Sequence, residues 1–196
     1  MMNIYRKIKS KMEEAIKPTA KSITVNMNKK ALTDFVLRSY YSKFSGIMSI
    51  FLGLGGLAFL IWNLMSENPV LRNTLLFGAV AVICLVANPL TLIAKAKKQL
   101  QTNPSYKAPV TYEFRPENLK ISLGEESQEL EWNNIYRLRA SGSMVAVYTS
   151  PYHAFVIPIT ELGEDKAIVL SRLVQYTKEY RPRLSGNLKQ YLSSIQ

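Results

Sequence analysis

Two apolar segments, GIMSIFLGLGGLAFLIWNLM (46–65) and TLLFGAVAVICLVANPLTLI (74–93), decide the fold. A polar link, Ser66–Asn73, joins them, and neither segment contains a charged residue. At about 1.5 Å per helical residue, about 20 residues span about 30 Å, the thickness of a bilayer's hydrocarbon core. A buried hairpin of a soluble domain normally keeps a polar stripe, which these segments lack. The sequence therefore predicts a transmembrane helical hairpin over residues 46–94.

Basic residues flank the hairpin on both sides, whereas its link carries only Arg72, beside Glu67. The flanking residues are Lys29, Lys30, Arg38 and Lys43 before the hairpin and Lys95, Lys97, Lys98 and Lys107 after it. Because such residues stay on the cytoplasmic side, we expect a multi-pass protein of the cell membrane with both termini in the cytoplasm. The four lysines after the hairpin are also candidate contacts for anionic lipid headgroups.

Small residues form a stripe along the first segment, at Gly46, Ser49, Gly53 and Gly56. Such a stripe suits close helix packing in lipid. We expect it to pack on the second helix of the hairpin, with homo-oligomer formation as the alternative. The second segment has one polar break, Asn88 followed by Pro89, which we interpret as a hydrogen-bonded kink and not as a transport path.

The chain carries 25 Lys and Arg against 14 Asp and Glu, a net charge of +11. The flanking lysines and anionic cytoplasmic lipid account for most of this excess, so it does not by itself indicate nucleic-acid binding. One cysteine, Cys84, excludes a disulfide framework, and one histidine, His153, cannot complete a zinc site with it. We therefore expect no cofactor, no metal and no nucleic-acid partner.

Residues 1–45 are too few for a core of their own. Residues 1–20 read as a basic amphipathic leader with Ile4, Ile8, Met12 and Ile16 at spacing four, which is either an interfacial helix or a weakly packed tail. Within 21–45, the alternation in Lys21–Met27 predicts a strand, which must pair with a later sheet because a lone strand is not stable. Ala31–Phe44 is predicted as a helix that continues into the first apolar segment.

After the hairpin, Ala94–Ala108 reads as a basic linker, helical until Asn103 and Pro104. From Pro109 the apolar period becomes two, which predicts six short strands of an antiparallel sheet or partial barrel. A helix is predicted over Glu164–Tyr180. We expect it to turn Ala167, Leu170, Leu173 and Val174 inward, and to be followed by a short amphipathic turn with Leu184, Leu188, Tyr191 and Ile195.

Three segments then carry a family resemblance: YEFRPENLKIS (112–122), LEWNNIYRL (130–138) and VYTSPYHAFVIPITEL (147–162). Together with the two spans, they resemble the YcxB-like proteins, small bacterial membrane proteins with a pleckstrin-homology-like cytoplasmic domain. The resemblance implies an α+β membrane protein. In it, an antiparallel pleckstrin-homology-like β domain over 109–180, capped by a C-terminal helix, follows the hairpin and precedes a tail over 181–196. The family usually places a basic residue after the last proline, where this chain has Ile159 and Thr160.

The motifs of common catalytic sites do not occur in the sequence. There is no Gly-x-Ser-x-Gly, no P-loop and no metal-ligand spacing, and His153 is predicted to be an exposed turn residue. Phe114 and Trp132 are predicted core aromatics. The acidic cluster Glu125, Glu126, Glu129 and Glu131 is predicted to be a solvated face.

The sequence thus favours a non-catalytic protein that presents its cytoplasmic module to a protein partner or to lipid headgroups. The alternative is an accessory subunit of a membrane enzyme or transporter. The partner itself is not identified by any feature of the sequence.

Overall fold

The structure is a computed structural model that describes residues 20–180, 183–184 and 188. The chain divides into two compact units, a helical unit, Thr33–Gln99, and a sheet unit formed by Met1–Leu32 together with Leu100–Gln196. The predicted leader, apart from residue 20, and the predicted terminal positions Tyr191 and Ile195 lie outside the described residues.

The helices before and through the hairpin are α1 (Lys29–Tyr41), α2 (Phe44–Met65), α3 (Leu71–Val82) and α4 (Asn88–Thr102). A π-helical turn, Ile83–Ala87, joins α3 to α4, so the second helix runs on over 32 residues. Both apolar helices are long enough and apolar enough to cross a membrane. The helical extension beyond the second apolar segment ends at Thr102, directly before Asn103, as predicted.

The expected continuation of α1 into α2 is wrong. The α1 helix ends at Tyr41, and Lys43 has extended backbone angles, φ −91° and ψ 156°. A Cβ added at Gly46 would overlap the carbonyl oxygen of Tyr40 and would lie 2.7 Å from the Cα of Tyr41. The absence of a side chain at Gly46 therefore allows the chain to fold back closely at this corner, a tertiary contact that helical periodicity does not report.

At Asn88 and Pro89, where a kink is expected, the helix contains a π-helical turn just before them. The backbone N–H of Asn88 donates to the carbonyl oxygen of Ile83, five residues back. Proline at position 89 has no N–H to give and would crowd the carbonyl one turn earlier in a regular helix. A wider turn accommodates the proline, and the helix continues through it.

The sheet unit contains two four-stranded sheets. The first has the order β1-β2-β3-β4 and the second the order β7-β6-β5-β8, with every pair antiparallel except β5–β8. The strands of the first sheet are β1 (Lys21–Val25), β2 (Val110–Phe114), β3 (Asn118–Leu123) and β4 (Glu126–Glu131). Those of the second are β5 (Arg137–Ala140), β6 (Met144–Tyr148), β7 (Ala154–Pro158) and β8 (Arg183–Leu184).

The strand expected before the hairpin pairs with the sheet that follows it. In β1, Lys21 lies opposite Phe114 and Val25 opposite Val110, and the apolar residues Ile23 and Val25 are buried. The pairing satisfies backbone groups that a lone strand would leave without partners. The first sheet is therefore assembled from segments on both sides of the hairpin in sequence.

The helix α5 (Lys166–Thr177) departs from its expected register at one position. Leu170, Leu173 and Val174 are buried as predicted, but Ala167 is exposed. The three residues Gly163–Asp165 form a separate 3-10 turn, so α5 begins only at Lys166.

The predicted terminal turn is also corrected at its first position. Leu184 lies in β8, opposite Leu138 in a parallel pairing with β5. The outer edge of β5 requires hydrogen-bond partners, and residues 183–184 supply them. Leu188 is helical and buried.

Large apolar side chains fill the space between the two sheets and α5. Phe114, Leu119, Leu138, Ile157 and Leu173 are fully buried. Trp132, predicted as a core aromatic like Phe114, is 2% exposed, and its indole N–H donates to the carbonyl oxygen of Arg115 at 3.0 Å. The core thus satisfies the one polar group that this large side chain brings into it.

Candidate interaction site

An open cleft of about 330 Å³ lies within the sheet unit, between the first sheet and strand β7. Its floor is apolar, and the residues that line it come from the first sheet and from β7. They are Val25, Val110, Tyr112, Ile121 and Leu123 from the first sheet and Phe155, Val156 and Pro158 from β7. A cleft of this size with a mainly apolar lining is typical of a binding site.

Tyr112 connects the two walls of the cleft. It lies opposite Ile23 on one side and Ile121 on the other, which places its ring on the inner face of the sheet. Its hydroxyl donates to the carbonyl oxygen of Val156 at 3.3 Å. Burial, with a smaller contribution from Tyr106, raises the pKa of the Tyr112 phenol, so the group stays neutral and available as a donor.

The rim of the cleft is polar. Exposed Glu126, Ser127 and Gln128 at the start of β4 form one side. Ser105 and Tyr106, from the 3-10 turn Pro104–Tyr106, contribute to the lining as well. The side chain of Asn103 accepts from the Ser105 N–H at 3.0 Å and holds the start of that turn. Glu126 is the one charged side chain that lines the cleft in the described part of the chain.

A second polar group lies on the surface of the first sheet. The Arg115 guanidinium donates to Glu113 at 2.8 Å and to Glu129 at 3.1 Å. The amide of Asn118 donates to Glu129 at 3.0 Å. The hydrogen bond from Arg115 lowers the pKa of the Glu113 carboxyl, against a smaller opposite effect of burial.

The predicted acidic cluster is exposed at all four of its positions, 125, 126, 129 and 131. Its members do not act alike, because Glu129 is tied to Arg115 and Asn118, whereas Glu126 faces the cleft. The solvated face predicted from the sequence is therefore confirmed, with one carboxylate placed at a candidate binding site.

The four lysines that the sequence suggested as headgroup contacts are exposed. Lys95, Lys97 and Lys98 lie on α4, and Lys107 follows the 3-10 turn. None of the four is among the residues that line the cleft.

The small-residue stripe is buried along α2 at all four positions. A Cβ added at Gly53 would lie 2.6 Å from Leu85, and one at Gly56 would lie 3.1 Å from Val80 and 3.2 Å from the carbonyl oxygen of Phe77. Gly53 and Gly56 thus pack on the second helix of the same hairpin, whereas Gly46 packs on the end of α1.

Two asparagines hold the hairpin at its two ends. The amide of Asn88 donates to the Tyr40 hydroxyl at 2.8 Å and to the Ser49 hydroxyl at 3.0 Å, which confirms its predicted hydrogen-bonding role. Asn63, which the sequence analysis missed, donates to Thr74 at 2.7 Å and to the carbonyl oxygen of Val70 at 3.1 Å. A lone asparagine near the end of an apolar segment was the signal that could have identified it.

His153 is exposed in the turn before β7, as predicted, and its backbone N–H donates to the Ser150 hydroxyl at 3.0 Å. The described residues contain no group of three or more His, Cys, Asp or Glu side chains that could hold a metal ion.

The cleft itself was not predicted. Its walls come from four separate parts of the sequence, and Ser105 and Tyr106 fall in the segment that reads as a basic linker. Alternation identifies inward-facing residues in each strand, but it does not say where two sheets diverge and leave a gap.

The comparisons with known proteins concern the same unit. A family model described as YcxB-like protein matches residues 114–167, from the end of β2 to the start of α5. No curated protein and no solved structure is significantly similar to the chain. The resemblance carried by the three sequence segments is confirmed by this match over residues 114–167.

Proposed function

We propose that this chain is a non-catalytic membrane protein. Its hairpin holds a pleckstrin-homology-like module at the cytoplasmic surface, and the module binds a protein partner through the cleft beside β7. The observation that carries the proposal is an apolar-lined cleft in the sheet unit. The first strand of this unit precedes the apolar hairpin in sequence, and its remaining strands follow the hairpin.

The sheet arrangement supports the pleckstrin-homology-like assignment. Strands β1–β4 form one antiparallel sheet, β5–β7 form an antiparallel set in the other, and α5 follows them. This order of two sheets and a closing helix is what the family resemblance implies. The additional short strand β8 extends the second sheet at the side opposite β7.

The exposure pattern of the hairpin supports its insertion in a bilayer. Phe51, Leu52 and Trp62 are 60–77% exposed, although they are among the most apolar side chains of the chain. Contiguous exposed apolar surface of this kind is costly in water and favourable in hydrocarbon. The exposed lysines after the hairpin are suited to the cytoplasmic side.

The cleft favours a protein partner over a lipid headgroup. Its described lining carries the carboxylate of Glu126 and no lysine or arginine. Binding an anionic headgroup beside an uncompensated carboxylate is unfavourable, because like charges repel. An apolar floor with a polar rim is instead what a buried anchor residue of a protein partner requires.

Cysteine labelling tests the location. In a Cys84→Ala background, single substitutions Asn68→Cys in the link and Ser105→Cys in the sheet unit place thiols at two exposed positions. A membrane-impermeant maleimide added to intact cells should label the first and should label the second only after permeabilisation. Labelling of Ser105→Cys but not Asn68→Cys in intact cells contradicts the cytoplasmic location of the module.

A further inference from the structure

The outer edge of β7 faces the cleft, as the hydrogen-bond pattern of its sheet shows. The backbone N–H of Ile159 donates to the carbonyl oxygen of Ser143 at 2.9 Å, and that of Thr149 donates to the carbonyl oxygen of His153 at 3.1 Å. These bonds mark the two ends of the β6–β7 ladder as hydrogen-bonded pairs. Opposed residues in an antiparallel ladder alternate between hydrogen-bonded and non-hydrogen-bonded pairs.

When the residue pairs of the β6–β7 ladder are counted inward from either end, the same pairs are non-hydrogen-bonded. The non-hydrogen-bonded pairs are Met144 with Pro158, Ala146 with Val156 and Tyr148 with Ala154. Ala154, Val156 and Pro158 therefore direct their backbone groups away from β6. In the described chain β7 is the outer strand of its sheet, so these groups point to its outer edge, where the Val156 carbonyl oxygen accepts from the Tyr112 hydroxyl.

The cleft lies along this edge. Ala154, Val156 and Pro158 all line it, and the Tyr112 hydroxyl reaches the outward carbonyl oxygen of Val156 across it at 3.3 Å. An edge strand with outward N–H and C=O groups is a template for a further strand. In this structure the apolar floor of the cleft lies beside the edge of β7.

Building on the proposed function, we infer that the protein partner enters this cleft as an extended segment that adds a strand to the outer edge of β7. Main-chain hydrogen bonds to β7 supply the affinity, and alternate side chains of the segment enter the cleft beside Tyr112 and Phe155.

The edge determines the length of the added strand. Pro158 has no N–H, so the outward donors in β7 are those of Ala154 and Val156. A ladder with two donors pairs with a short segment. Proline at an edge strand also limits pairing beyond that segment, which protects the edge against indiscriminate aggregation.

The charge of the rim determines the chemistry of the segment. Glu126 is exposed at the start of β4 and lines the mouth of the cleft. A lysine or arginine of the segment would pair with this carboxylate. The partner segment is therefore extended, has apolar residues in alternation, and carries a basic residue next to them.

Selection from a library of displayed random heptapeptides tests the inference on the full-length chain in lipid nanodiscs. The enriched peptides should alternate apolar residues and carry a lysine or arginine. In hydrogen exchange, a synthetic copy of an enriched peptide should slow the exchange of the Ala154 and Val156 amides in the unmodified chain. This measurement does not depend on any variant being able to fold.

A pair of substitutions at one position then isolates the backbone hydrogen bond. Ala154→Pro removes an outward N–H without removing a bond to β6, and Ala154→Val keeps the N–H. Because one hydrogen bond is lost, Ala154→Pro should weaken binding of the peptide about fivefold, whereas Ala154→Val should bind within about twofold of the unmodified chain. Glu126→Gln should weaken the basic peptide about two- to threefold at low salt.

Three outcomes would overturn the inference. They are equal binding by Ala154→Pro and Ala154→Val, no change in exchange at Ala154 and Val156, and displacement of the peptide by vesicles with phosphatidylinositol phosphates, which would assign the cleft to lipid. Because the protein is purified, none of these results depends on the side of the membrane that the labelling experiment reports. A failure of the inference is therefore distinct from a failure of the proposed location.

Discussion

The apolar hairpin and the sheet unit bury opposite kinds of residue. In α2 the buried residues are small or polar, and large apolar side chains such as Phe51 and Trp62 are exposed. In the sheet unit the core consists mainly of large apolar side chains, although Ala146 and Thr177 are also fully buried. The buried set in α2 is Gly46, Ser49, Gly53, Gly56 and Asn63. The largest fully buried side chains of the sheet unit include Phe114, Leu119, Leu138, Met144 and Ile157.

Each of the two burial patterns suits a different solvent. In water, removal of apolar area stabilises a fold by about 25 cal/mol per Å². In hydrocarbon that gain is missing, so helices associate by close backbone approach and by hydrogen bonds from a few polar side chains. The contacts of Gly53, Gly56, Asn63 and Asn88 are of that kind. The comparison therefore supports the proposed bilayer location of the hairpin and the aqueous location of the sheet unit.

The largest expected effect comes from making a side chain smaller in the sheet unit. Phe114→Ala removes a fully buried ring and leaves a cavity, which should lower the free energy of unfolding by about 3–5 kcal/mol. Chemical unfolding of the full chain in mild detergent, followed by near-ultraviolet circular dichroism, measures it. Tyr152→Ala is the control, because Tyr152 is 81% exposed. Equal destabilisation by both would show that the sheet unit does not depend on large buried side chains.

In the hairpin we expect the opposite dependence on side-chain size, so that enlarging a residue lowers the free energy of unfolding. Gly46→Ala places a methyl group 2.7 Å from the Cα of Tyr41, and the overlap should cost about 2 kcal/mol. Gly55→Ala is the matched control on the same helix, because a Cβ there meets nothing within 4 Å and alanine favours helix. Unfolding in sodium dodecyl sulfate with helicity as readout measures both. Similar loss in the two variants would remove the special role of close approach.

The sequence predicted those features that depend on local pattern. Charge-free length predicted the two apolar helices, alternation predicted β1 and its pairing with the later sheet, and Asn103 with Pro104 predicted the end of α4. What it missed depends on contacts between distant residues. The break after Tyr41 follows from the fit of Gly46 against α1, and the strand at Leu184 follows from the open edge of β5.

The candidate site was beyond local pattern for a related reason. Alternation indicates an inward position for the floor residues of the first sheet, as Tyr112 and Ile121 show. That β7 is an edge strand, and that its edge faces the first sheet, are properties of the pairing order. Glu126 illustrates the consequence, because in sequence it is one of several exposed glutamates and only the fold places it at the mouth of a cleft.

The smallest expected effect concerns surface charge, which belongs to the sheet unit and not to the interior of the hairpin. The hydrogen bond from Arg115 lowers the pKa of Glu113 below its ordinary value of about 4.5 in the folded chain. The carboxylate therefore stabilises the fold above pH 4.5, and this contribution is lost as pH falls through the lowered pKa.

Glu113→Gln should be less stable than the unmodified chain at pH 7, and the difference should shrink to zero in acid. Unfolding series from pH 7 to pH 3 measure it, with Glu117→Gln, in the exposed turn between β2 and β3, as the control for the loss of one surface carboxylate. A difference that stays constant down to pH 3 would mean that Glu113 acts by packing and not by its charge. A difference that also disappears at high salt and neutral pH would instead show that the pair with Arg115 is a screened surface contact.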